Sequence, residues 1–366
     1  MSERTRYGLL QGMNMRALVK PTAGPGLELR EVPEPTPGQG EVKIKVMRAG
    51  LCGTDLHILS WDDFAAAHVK AGQTIGHEFY GEIVELGHGV PEGEGQGQFH
   101  VGQRVSVEGH VVCEHCRNCR AGRRHMCSNT VSIGVDRDGA FADYVVVPIT
   151  NVWKQPDVID AELGAIFDPL GNAVHTAFQF PLTAEDVLVT GAGPIGFMCA
   201  AIARHAGARN VVLTDINDER LELARSIEGV VGVNTLREDV RDRFAELNMT
   251  EGFDIGLEIS GSPKATEQMI DLCTNGAKIA MLGLPARPYA INWNTLIARM
   301  LTIQGVYGRA MYDTWYRATY LMTGSEKFRE QVRKVITHRF APENWEEAFE
   351  TARGGHAGKI ILEWND

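Results

Sequence analysis

Short runs in which apolar and polar residues alternate fill the first part of the chain. Met15-Arg16-Ala17-Leu18-Val19 and Glu41-Val42-Lys43-Ile44-Lys45-Val46 have the period of two expected of half-buried strands, with Pro33, Pro35, Pro37, Gly38 and Gly40 breaking the chain between them. Phe79 to Leu86 and Arg104 to Val107 continue this pattern, and the Gly-, Glu- and Gln-rich stretch Val90 to His100 reads as a polar surface loop. The pattern predicts a β-rich, barrel-like unit over roughly the first 150 residues, with its chemistry carried in loops. From Val187 the alternation stops. Val187-Leu188-Val189-Thr190 is an uninterrupted apolar run of the buried parallel-strand kind, followed by a glycine turn and a helical stretch, Phe197 to Arg204. Asn210 to Thr214, Phe253 to Glu258, Ala277 to Gly283 and Leu301 to Val306 repeat the strand pattern. Helical stretches at 218–228 and 264–273 lie between them, so an α/β fold with a doubly wound parallel sheet is predicted. After Gly308 the chain turns helical and ends in a strand-like run, Gly358 to Glu363, expected to return to the first unit.

The glycine turn is Gly191-Ala192-Gly193-Pro194-Ile195-Gly196, and Asp215 closes the next strand. Glycines between a strand and a helix, with an acidic residue about 20 positions on, form a dinucleotide fingerprint. Gly191 makes the tight turn, Gly193 lets the backbone approach a pyrophosphate, and Gly196 lets helix and strand close up. The helix N-terminus offers unpaired N–H donors to the phosphates. Asp215 would accept hydrogen bonds from the ribose hydroxyls and repel a 2′-phosphate, which favours NAD over NADP. Ile195 and Arg220 are further candidate cofactor contacts. Gly261, Gly283 and Gly305 fall near strand C-terminal ends, where such sheets hold ligands, so Leu282, Gly283, Leu284, Val306 and Tyr307 are candidates to line the nicotinamide half.

Metal chemistry is written in two places. Cys52, Thr54 and His57 lie within a few residues of one another, and Gly76-His77-Glu78 follows shortly after. Cysteine, histidine and carboxylate together suit a divalent ion such as zinc, and a catalytic zinc keeps one position open beyond three protein ligands. Cys52 and His77 are the first two candidate ligands, and Glu78 or a later carboxylate is the third. Cys113, Cys116, Cys119 and Cys127 form the second group. Their gaps let four sulfurs converge on one structural zinc, and the iron–sulfur spacing that ends in Cys-Pro is absent. His115 and His125, interleaved with a set already complete, read as surface residues.

Composition narrows the function. A net charge of -11 argues against a nucleic-acid partner and an anionic membrane surface. No apolar run reaches the roughly 20 residues of a membrane-spanning helix. Met1 to Asn14 lacks the apolar core of a signal peptide and reads as a loose extension. Seven cysteines, four of them clustered, fit a reducing compartment, so a cytoplasmic location is expected.

These motifs, in the order Cys-Gly-Thr-Asp, Gly-His-Glu, four-cysteine lobe and glycine turn, resemble the zinc-dependent medium-chain dehydrogenases over nearly the whole chain. Gly109-His110, Phe167-Asp168-Pro169-Leu170-Gly171-Asn172-Ala173-Val174-His175 and Gly308-Arg309 are similar to the branch of that family acting on the side-chain hydroxyl of L-threonine. The resemblance implies a GroES-like catalytic domain over 1–163, a Rossmann NAD-binding domain over 164–304, and a returning segment, 305–366, that completes the first. It implies NAD, two zinc ions per subunit, and commonly a homotetramer. Cys52, His77 and Glu78 then match the catalytic zinc motif, and Thr54 and His57 match a proton relay. Asp168 stands where this branch sets a carboxylate, often a glutamate, near the zinc. Being one methylene shorter, it is expected in a water-bridged or relay role. His175 is expected to serve packing, and Arg309 is a candidate contact for a substrate carboxylate. Leu59 to Phe64 and the 92–98 loop depart from the family pattern. A zinc polyol or secondary-alcohol dehydrogenase, or a catalytically silent NADH-binding crystallin-like protein, are the rival readings.

Overall fold

A computed structural model describes residues 13–365, so the expected extension over residues 1–12 lies outside it, and Asn14 already opens the first strand, Asn14–Val19. Two sheets dominate. One has seven strands, with Ile336–Phe340, Lys359–Glu363, Glu41–Gly50, Glu78–Leu86, Arg104–Val107 and Val152–Lys154 side by side and Tyr144–Pro148 also pairing with Glu41–Gly50. The last strand runs antiparallel to Glu41–Gly50, with Ile361 opposite Gly50, in the same sheet as strands from the start of the chain. Inward residues of this unit, among them Val42, Ile44, Val46, Phe79, Ile83 and Phe141, form one buried cluster. The alternation that marked these strands is thus the alternation of core and outer faces.

The second sheet has six strands in the order Val230–Asn234, Asn210–Asp215, Asp186–Thr190, Phe253–Glu258, Cys273–Met281 and Thr302–Gly305, all parallel. It is buried on both faces, with one apolar cluster built around Val187, Val189 and Leu257 and the other around Leu188, Val212 and Ile279. Two-sided burial is why these strands read as continuous apolar runs. The helix Pro194–His205 is buried from Gly196 through Ala203. Such a helix shows no polar stripe because neither side meets water. Pro194 fits its first turn, where a missing N–H costs no helix bond. Among the described residues no helix is long and apolar enough to cross a membrane.

The helix Phe167–Ala177 joins the two units. Its residues from Phe167 to Gly171 are buried, and Cys199 Sγ of the helix behind the glycine turn donates to its Ala173 carbonyl at 3.6 Å. This helix carries Asp168 and so couples the metal-ligand region to the nucleotide turn.

Candidate active site

Cys52 is the N-cap of the helix Gly53–Ser60, an element the strand pattern did not announce. Asp55 Oδ2 accepts the Cys52 N–H at 2.8 Å, which fixes the start of the helix and points its N–H groups toward the sulfur. The positive end of a helix favours the negative sulfur a metal binds. Ligand atoms of Cys52, His77 and Glu78 lie within 4.8 Å of one another, and Asp168 falls outside that group. Asp55, fully buried, sets Oδ1 3.8 Å from His77 Nδ1, beyond hydrogen-bond reach, and neither atom has a hydrogen-bond partner. A carboxylate facing one ring nitrogen leaves Nε2 as the ligand. Thr54 Oγ1 lies 3.8 Å from Cys52 Sγ, and His57 follows one helical turn later.

Behind Glu78 stands Lys359 of the last strand. Its buried ammonium is ion-paired with Glu78 and donates to the Leu51 carbonyl at 2.8 Å. Burial pushes the Glu78 carboxyl well above the usual carboxylate range; Lys359 and His77 oppose this, while Cys52 and Asp168 add to it. Lys359 thus anchors Glu78 from behind, and a sulfur, an imidazole and a carboxylate converging within 4.8 Å are zinc donors.

Arg309 does not reach toward a substrate as the sequence suggested. Its side chain is 5% exposed and fully engaged. Nε donates to Glu108 Oε2 at 2.8 Å, a terminal nitrogen also binds Glu108, the other donates to Asp168 Oδ1 at 2.8 Å, and His110 Nδ1 lies 3.1 Å away. Trp315 Nε1 completes Glu108 at 2.7 Å. Burial alone would raise the Glu108 carboxyl, but the Arg309 guanidinium outweighs it and holds it at about 2. A buried cation with two buried carboxylates around it has no capacity left for a third anion. Sequence reasoning missed Glu108, because a lone acidic residue at a strand end carries no motif. Tyr307 stacks on His110 with ring centroids 6.1 Å apart. His175 Nδ1 bonds the Gly308 carbonyl at 2.8 Å, in keeping with a packing role. His125, expected at the surface, is half-buried with its ring 5.6 Å from that of His175.

The sulfurs of Cys113, Cys116, Cys119 and Cys127 converge. Cys127 lies 3.5 Å from Cys113 and 4.0 Å from Cys116, sulfur to sulfur, and none is in a disulfide. Four sulfurs about 2.3 Å from one tetrahedral ion would sit about 3.8 Å apart, so the spacing fits zinc. Asn129 Nδ2 and backbone N–H groups pull the Cys113 thiol down to about 6, and N–H groups led by that of Cys119 pull Cys116 down to about 7. Backbone donors thus favour the thiolate form that metal binding requires.

At the end of the parallel sheet lies a cavity of about 590 Å³ walled by Gly191, Gly193, Ile195, Asp215 and Arg220 on one side and by Ser260, Ser262, Lys264 and Gln268 on the other. Gly191 has φ +91°, and a Cβ there would meet the Ser260 backbone at 3.0 Å. At Gly196 a Cβ would fall 1.8 Å from the Gly191 carbonyl, which explains the third glycine as a contact between turn and helix. Asp215 is held at the wall by the N–H groups of Ala192, Ile216 and Asn217 at 2.6, 2.7 and 3.0 Å. An anion-receptive helix start beside a fixed carboxylate fits a dinucleotide's phosphates and ribose. Leu282, Gly283, Leu284, Val306 and Tyr307 lie outside this wall. Leu284 and Tyr307 are exposed, Val306 is buried, and Gly283 abuts the Gly261 N–H and the Glu258 side chain. Lys264 and Gln268 belong to the helix Pro263–Leu272, which was legible as a helix but not as a cavity wall.

Comparison with known proteins agrees with this geometry. The model of the alcohol dehydrogenase GroES-like domain matches residues 38–157, and that of the zinc-binding dehydrogenase matches residues 194–324. The chain therefore belongs to the zinc-dependent medium-chain dehydrogenases. Within that class it is 52% identical over 350 residues, 96% of its own length and 99% of the relative's, to the L-threonine 3-dehydrogenase of Saccharopolyspora erythraea. It is 51% identical to the protein of the same name from Burkholderia ambifaria, over 96% of this chain and 99% of that one. A solved alcohol dehydrogenase of Escherichia coli CFT073, complexed with NADH, superposes with a TM-score of 0.84 at 28% identity, covering 96% of this chain and all (100%) of that chain.

Proposed function

We propose that this chain catalyses the NAD-dependent oxidation of L-threonine to L-2-amino-3-oxobutanoate, with one catalytic and one structural zinc per subunit. The observation that carries the reading is the 52% identity, over 96% of the chain, to a relative named for that activity. Cys52, His77 and Glu78 hold the catalytic ion, and Cys113, Cys116, Cys119 and Cys127 the structural one. When bound, the catalytic ion acidifies the substrate hydroxyl and the dinucleotide takes up the hydride from the carbinol carbon. The chain's own residues position and move the proton. Thr54 receives it beside Cys52, and His57, one turn further along the same helix face, passes it to solvent. Asp168, tied to Arg309, sets a fixed negative charge near the ligand group. Gly191, Gly193, Ile195, Gly196, Asp215 and Arg220 bind the NAD, with Leu282, Gly283, Leu284, Val306 and Tyr307 toward its nicotinamide end.

The polypeptide divides into a catalytic domain, 1–163, an NAD domain, 164–304, and a returning segment, 305–366, and works as a cytoplasmic homotetramer. The exposed edge strand Thr302–Gly305, beside exposed Trp293, Ile297 and Met300, supports self-association, since unpaired strand edges and clustered apolar residues are surfaces that partners cover. Initial rates of NADH formation with L-threonine, sorbitol and ethanol test the activity. Threonine is expected to give by far the highest kcat/KM; preference for either of the other alcohols would sink the assignment.

A further inference from the structure

We propose that Asp62 is a positioning residue for the proton relay, fixing His57 in the tautomer that leaves Nε2 as the proton acceptor. The inference rests on the reading of His57 as the outer member of that relay. Asp62 uses its two oxygens differently. Oδ1 accepts the Ala65 N–H at 3.1 Å and caps the helix Asp63–His68, while Oδ2 lies 2.5 Å from His57 Nδ1. An ionised carboxylate is an acceptor only, so a neutral His57 must carry its proton on Nδ1 and present a lone pair at Nε2.

The backbone is shaped to make this contact. The helix Gly53–Ser60 ends at Trp61 in the left-handed region, φ 58° and ψ 53°, a conformation that non-glycine residues seldom adopt. That reversal brings Asp62 back toward His57 and puts the Asp62 N–H 3.4 Å from the His57 carbonyl. Lys20 locks the turn. Fully buried, it donates to the Ile58 carbonyl at 2.8 Å and lies 4.7 Å from the centre of the Trp61 ring. Phe64 meets the His57 ring edge-on at 6.3 Å, and beyond it His68 pairs with Asp136 at 3.1 Å. These contacts lie at the end of the helix that starts at Cys52.

The proton balance is simple. Nε2 takes the proton that the substrate hydroxyl releases by way of Thr54, Nδ1–H stays on the ring facing Asp62, and the imidazolium returns the Nε2 proton to water. With the opposite tautomer, Nε2 already bears a hydrogen and cannot accept.

Asp62→Asn separates the two tasks, because the amide oxygen can keep the Ala65 cap while the amide nitrogen donates to Nδ1. Nitrogen-15 NMR of the histidine-labelled, zinc-loaded protein at a pH where the ring is neutral should show Nδ1–H in the wild type and Nε2–H in the variant. In the variant, kcat is expected to fall about tenfold or more with KM and the thermal midpoint little changed. Asp63→Asn, which removes the same charge one residue away, should change neither reading. An unaltered His57 tautomer in Asp62→Asn overturns the proposal whatever the rate does, and so does an inverted tautomer with unchanged kcat. Full activity in His57→Asn would instead refute the relay on which it rests, while the nitrogen spectra would still report the pair.

Discussion

Replacing Cys52 with serine is expected to abolish threonine turnover while NADH binding and the thermal midpoint stay close to those of the parent. The sulfur does one thing that a hydroxyl cannot do as well, which is to hold a borderline-soft ion from the N-cap of a helix. A metal of this kind contributes several kcal/mol of charge stabilisation at the reacting oxygen. Its loss should slow turnover by on the order of a thousandfold or more. The dinucleotide cavity takes its walls from the parallel sheet and its helices, none of which includes Cys52, so nucleotide affinity should be spared. Metal analysis checks the cause, with two zinc ions per chain expected in the parent and one in the variant. A variant that keeps both ions and its activity would refute the assignment.

Arg309→Met is expected to give the largest loss of stability. Methionine roughly keeps the volume but leaves Glu108 and Asp168 buried without their cation. Breaking a buried pair from one side costs about 3–5 kcal/mol. The pH dependence should change sign. In the parent, Glu108 is held below its ordinary value, so its stabilisation is present above the unfolded carboxyl range near 4.5 and is lost as pH falls toward about 2. Without Arg309, burial dominates and raises the Glu108 carboxyl above its unfolded value. The variant should then lose stability as pH rises and be least impaired near pH 5. Urea midpoints at pH 5 and pH 8 measure this; an equal loss at both would show that charge burial is not the cause.

The sequence made the strands legible because both sheets impose a period on it, two where one face is wet and none where both are dry. Val187 to Thr190 and Glu41 to Val46 show the contrast. The metal and nucleotide groups were legible because their residues lie close along the chain at spacings the chemistry dictates. What was not legible depends on long-range placement. Arg309 looked like a free cation until Glu108 and Asp168, 201 and 141 residues away, were seen to surround it. Nor did local sequence announce that Lys264 and Gln268 wall the cavity, since helix period says which side is apolar and not what faces it. The short helices after Cys52 were hidden for another reason: Asp62 and Trp61 break a run too brief to show periodicity.

The contact between Lys359 and the Leu51 carbonyl spans 308 residues. During translation the ribosome releases Cys52, His77 and Glu78 long before the strand that carries this lysine. The charge that faces Glu78 from behind therefore arrives only when synthesis is nearly over. Long-range closure of this kind is slow, because chain entropy must be lost before the contact forms. A nascent chain that stops short of residue 359 has made every zinc ligand but lacks the cation that anchors one of them, so fragments truncated there should be poor at retaining the catalytic metal.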